Sequence, residues 1–113
     1  MHADARKLLW DAQQTAERAA RFTAEKTFTI YEADDYFRTA VERQFEIIGE
    51  AFSKLRKGDT STAAAITELP RIVALRNVLV HGYASVDNRL VWGVVEANLP
   101  LLRVTLEQLL SQV

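Results

Sequence analysis

Near the start of the chain, apolar residues fall at Ala5, Leu8, Leu9, Ala12, Ala16 and Ala19. These steps of three and four draw one stripe along a helix, with no strand-like alternation to compete. A second stripe carries Phe37, Val41, Phe45, Ile48, Phe52 and Leu55, widened by Ala40, Ile47 and Ala51. It ends at "RKGD", where cations in the last turn followed by Gly58 form a helix stop. The stretch "TSTAAAITEL" is a linker with some helical capacity. Pro70 suits the first position of a third helix, where its missing N–H would be unpaired anyway, and that helix runs to about Gly82. Ser85 or Asp87 can cap a fourth helix containing Val91, Val94, Val95, Leu99, Leu102, Leu106, Leu109 and Leu110. Pro100 lies inside it, removes one backbone hydrogen bond and crowds the carbonyl of Glu96, which predicts a kink.

Four amphipathic helices with short connections and no internal repeat predict an all-α fold. The expected form is an up-and-down four-helix bundle with additional short helical turns, a single domain over residues 1–113. The second and fourth stripes are wider than one bundle core needs, and a homodimer interface would use the surplus.

Composition changes this picture little but narrows the chemistry. Hydrophobic residues make up 49% and charged residues 26% of the 113, too apolar for a disordered chain. With no cysteine, disulfides, thiolate metal sites and cysteine nucleophiles are excluded. A formal charge of −1 argues against a generic electrostatic grip on nucleic acid, so any such contact must be local. The opening "MHADARKLLWDAQQ" has neither a signal peptide's apolar run nor a membrane-spanning stretch, and a cytoplasmic location is expected.

The candidate chemistry sits in "LRNVLVHGY", Leu75 to Tyr83, where Arg76, Asn77, His81 and Tyr83 interrupt an apolar segment. On a regular helix Arg76 and Tyr83 lie within about 20° of each other, and Asn77 and His81 stack on a neighbouring row. Arg76 and His81, five apart, diverge by about 140°. To act on one phosphate they need long reach, a loosened last turn near Gly82, or a second copy across a dimer axis. Each residue also has an ordinary structural reading: a histidine near a helix C-terminus complements the dipole, and arginine and asparagine are common surface residues.

As a spaced set, "RNVLVHGY" matches the arginine, four residues, histidine, one residue, tyrosine motif of the HepT-type toxins, members of the HEPN superfamily. "RQFEIIGEAFSKL", Arg43 to Leu55, resembles the second-helix signature of that family, and "VDNRLVWGVVEANLPLL", Val86 to Leu102, resembles its last helix. The resemblance covers roughly residues 3 to 110. The chain departs from the pattern at Arg71, where the family often has tryptophan, at Ala74-Leu75 in place of Gly-Met, and at Ala84 in place of an aromatic residue.

The resemblance implies the toxin subunit of a type VII HEPN/MNT toxin–antitoxin pair. Such proteins are all-helical homodimers in which two copies of the motif line an interface cleft, acting as ribonucleases with no metal or other cofactor. RNA cleavage of that kind needs a proton carrier and a cation for the pentacoordinate phosphate. The resemblance gives the first role to His81 and the second to Arg76, whose guanidinium can offer phosphate two N–H groups. Asn77 would support His81 or a phosphate oxygen. Tyr83 matches the tyrosine that the MntA-like nucleotidyltransferase antitoxin modifies with adenylate, which would place negative charge beside Arg76 and fill the cleft.

Other residues leave their readings open. Glu50 could face the cleft as a polar partner of Arg76 or His81, or Gly49 before it could simply allow close helix approach; packing is the simpler expectation. Trp10 and Trp92 read as amphipathic core or interface aromatics. His2 and His81 lack the companions a metal site needs. No glycine-rich phosphate loop or paired-aspartate transferase signature is present. A rival from another class is a non-catalytic HEPN subunit that presents a nucleotide or substrate to a partner nucleotidyltransferase; there His81 would be dispensable. A purely structural helical dimer is a third.

Overall fold

A computed structural model describes residues 1–82 and 86–112. Among them are seven helices and no strand: α1 (Ala3–Thr23), α2 (Phe28–Ala33), α3 (Asp35–Gly58), α4 (Thr60–Ala64), α5 (Leu69–His81), α6 (Asn88–Ala97) and α7 (Leu99–Ser111). The all-α expectation is met, with α2 and α4 as the short additional helices. No helix among the described residues is long and apolar enough to cross a membrane.

The two long helices form the frame. α3 packs on α1 along one side and on α5 along the other, and α7 lies against α1. The stripes read from the sequence are the core: Leu9, Ala12, Ala16 and Ala19 of α1 meet Val41, Phe45, Ile48 and Phe52 of α3, all fully buried. Small residues on α1 let its backbone approach the large side chains of α3. A second part of the core, where α2 touches α3 and α6, is aromatic: Tyr31 lies 5.1 Å from Trp92 and 5.7 Å from Phe37 between ring centroids. The Tyr31 hydroxyl is buried with no hydrogen-bond partner among the described residues, and burial pushes its ionisation far above that of an ordinary phenol.

Aspartates cap three of the seven helices. Asp34 both ends α2 and caps α3, accepting from the Phe37 N–H at 3.0 Å. Asp59 caps α4 by accepting from the N–H and hydroxyl of Thr62 at 3.1 and 2.7 Å, and these bonds hold its carboxyl below the usual carboxylate range. Asp87, one of the two caps anticipated for the last segment, accepts from the Arg89 N–H at 2.9 Å; Ser85, the other, lies outside the described residues.

Three boundaries differ from expectation. The stop at Gly58 is immediate rather than followed by a linker, because Asp59 still donates to the Leu55 carbonyl and begins α4 at once. Leu69, not Pro70, opens α5, with Pro70 second; either position spares the ring a lost bond. Pro100 divides the last helix instead of kinking it: α6 ends at Ala97 and α7 begins at Leu99, with Pro100 in its first turn. The break is held by Asn98, whose amide donates to the buried carboxylate of Glu68.

Candidate active site

α5 positions the motif. Leu69, Ile72, Val73 and Leu75 are buried, which fixes the helix's rotation and leaves Arg76 at the edge of the α3 contact, its side chain 26% exposed. Gly49 of α3 makes that placement possible. A Cβ built on it would lie 2.3 Å from Arg76 Cβ, 2.7 Å from Arg76 Cγ and 3.2 Å from the Ile72 carbonyl oxygen. Any side chain at position 49 would therefore push the root of Arg76, and with it α5, away from α3.

The next residue holds the other end of the arginine. Arg76 Nη2 donates to Glu50 Oε2 at 2.8 Å, and Nη1 donates to Asn77 Oδ1 at 3.2 Å. The second Glu50 oxygen stands 3.8 Å from Lys54 Nζ, so one carboxylate is shared between two cations. The sequence left Gly49 and Glu50 as alternatives, packing or polar partnership, and the structure uses both. Asn77 supports Arg76 rather than His81.

Arg76 lines a groove of about 680 Å³ between α1, α3 and α5. Trp10, Gln14 and Arg18 form its α1 side; Arg43, Glu50 and Lys54 stand on its α3 side. Of the two tryptophans read as core or interface aromatics, Trp92 is core, 4% exposed, and Trp10 stands 54% exposed on the groove wall. The Trp10–Gln14–Arg18 wall was missed, although its i, i+4, i+8 spacing along the polar flank of α1 was visible in the sequence.

His81 is the last residue of α5 and is exposed, and it does not line this groove. The helix is not loosened there: Gly82 donates to the Val78 carbonyl at 2.7 Å and closes the turn. The divergence of Arg76 and His81 expected of a regular helix therefore persists. Tyr83 lies outside the described residues. No cluster of three or more potential metal ligands occurs among the described residues.

An all-helical chain with a guanidinium fixed on a groove wall and an imidazole at the end of the same helix has the features of a HEPN-type protein. Residues 12–109 match the family described as Ribonuclease HepT-like, and the chain belongs to that family. It is similar to "Probable ribonuclease HepT" of Thermococcus cleftensis, 33% identical over 101 residues covering 89% of this chain and 91% of that protein. It is also similar to "Putative RNase MJ1380" of Methanocaldococcus jannaschii, 30% identical over 104 residues covering 92% of this chain and 94% of that one. No solved structure gives a significant match.

Proposed function

We propose that this chain is the toxin subunit of a HEPN/MNT toxin–antitoxin pair, an endoribonuclease whose active site is completed by a second copy of the chain. Arg76 of one protomer binds the scissile phosphate and stabilises charge as the 2′-oxygen attacks phosphorus and the bond to the 5′-oxygen breaks. The partner's His81 takes the 2′-OH proton or supplies one to the leaving oxygen. Membership of the HepT-like family supports the reaction class. One observation carries the two-protomer arrangement: Arg76 is fixed in the groove while His81, on the same unbroken helix, points elsewhere. A partner nucleotidyltransferase of the MntA type silences the enzyme by adenylating Tyr83, which adds a bulky negative charge that competes with RNA.

Expression of the wild-type chain alone should arrest growth. Arg76→Ala and His81→Ala should each relieve the arrest with helicity and self-association unchanged, and co-expression with the transferase should add adenylate to Tyr83, read by mass spectrometry. Arrest that persists in both variants would remove the proposed roles. The placement of His81 away from the groove also favours a second reading, a non-catalytic subunit that presents a nucleotide to a partner transferase. In that case RNA incubated without divalent metal would stay intact while nucleotide binding would still depend on Arg76.

A further inference from the structure

The α1 wall of the groove is built differently from its α3 wall. On α3 every cation at the groove is neutralised: Arg43 lies 3.7 Å from Glu46, and Lys54 shares Glu50 with Arg76. On α1, Asp11 is taken by Lys7 at 3.2 Å, which lies outside the groove lining. Arg18 has no carboxylate within 4 Å among the described residues. It donates instead to Gln44 Oε1 at 3.3 Å. That amide is only 6% exposed, and its Nε2 is tied to the Ala40 carbonyl at 3.2 Å, so its oxygen is held towards the arginine. The fold thus spends a buried amide on orienting a surface cation while leaving its charge unspent. Two turns away on the same side of α1, about 12 Å along the axis, Trp10 presents its indole to the groove.

We propose that Trp10 and Arg18 form a subsite for an unpaired RNA segment, beside the phosphate position at Arg76. Trp10 stacks one base and Arg18 takes a backbone phosphate. An exposed aromatic beside an uncompensated cation is how proteins hold single-stranded nucleic acid, because every base has a face to stack and the phosphates supply the charge match. A duplex hides its base faces and would gain nothing from Trp10. The subsite rests on the ribonuclease reading for the class of its ligand, but it is a binding site, and its test does not need cleavage.

The experiment uses the full chain carrying His81→Ala, titrated with a single-stranded RNA of about ten nucleotides and with a blunt duplex of the same length. Trp92 is buried, so stacking reports through Trp10: the single strand should quench the exposed, red-shifted emission and the duplex should not. Trp10→Ala and Arg18→Ala should each weaken single-strand binding roughly tenfold, with Trp10→Phe retaining most of it. Arg18→Ala should also lower the slope of log affinity against log salt by about 0.7, the loss of one phosphate contact. Unchanged affinity in both alanine variants overturns the subsite. So does a Trp10 emission that responds to dilution of the protein but not to RNA, the mark of a second copy covering this wall. RNA bound through Trp10 and Arg18 but never cut by the wild-type chain would uphold the subsite and sink the nuclease. Cleavage that needs His81 but ignores both alanine variants would do the reverse.

Discussion

The two candidate site residues of α5 are built to opposite standards. Arg76 is over-determined: Gly49 seats its root, Glu50 and Asn77 hold its two terminal nitrogens, and Ile72 one turn earlier anchors the helix against α3. His81, a turn and a half further on, is exposed and makes no side-chain hydrogen bond among the described residues. A phosphate-binding cation gains from being preorganised, since its orientation need not be fixed at the moment of reaction. If His81 is the proton carrier proposed above, it is left unheld within the protomer, and a site shared between two protomers would supply what positions it.

The largest effect expected from breaking the contrast is on catalysis. His81→Ala should lower kcat by about a hundredfold or more, the usual contribution of a positioned acid–base group. Arg76→Lys should be nearly as damaging despite keeping the charge, because an ammonium cannot bind Glu50 and a phosphate in one planar fork. Single-turnover cleavage of a labelled RNA would measure both, and His81→Ala at full activity would refute the assignment.

Much of this was legible in the sequence, and the losses have physical reasons. The core stripes of α1 and α3 could be read because burial repeats with the helical period. Gly49 and Glu50 could not be resolved, because adjacent residues on a helix point about 100° apart and only the packing of α5 shows that one seats Arg76 while the other holds it. Pro100 announced a disturbance, but division rather than a kink depends on Asn98 finding the Glu68 carboxylate, a partner 30 residues earlier in the chain. Additional short helical turns were expected but α2 could not be located, because six residues, "FTIYEA", hold too few turns to show a period and depend on the Thr27 cap and on Tyr31 burial.

Smaller effects probe the scaffold beneath the contrast. Gly49→Ala should cost about 1–3 kcal/mol by forcing α3 and α5 apart. It should reduce activity beyond that loss, whereas Gly58→Ala, with open space at its Cβ position, should do neither; thermal denaturation with parallel activity assays separates the two. Tyr31→Phe removes a buried hydroxyl that has no partner among the described residues, and it should raise stability by about 1 kcal/mol with activity unchanged. A loss of stability instead would mean that the hydroxyl is bonded.

The smallest effect is a pH dependence of folding. Asp59 is held low by its bonds to Thr62, and Glu17 is held low mainly by its bidentate bond to Arg103, at 3.0 and 2.7 Å. Depressed carboxylates stabilise the fold fully above their unfolded values, near pH 4, and that contribution drains away as pH falls through the lower folded values. Melting temperature should therefore decline below about pH 4. Asp59→Asn and Glu17→Gln should each flatten the decline, and an unchanged acid limb in both would show that other carboxylates govern it.

The most direct test of the two-protomer site is complementation between two inactive variants. Arg76→Ala and His81→Ala proteins, each silent alone, are mixed, dissociated and reassembled. Random pairing makes half the dimers mixed, and each mixed dimer holds one site with Arg76 from one protomer and His81 from the other. The account predicts recovery of about a quarter of wild-type ribonuclease activity. Mixed dimers that form but cut no RNA would contradict it.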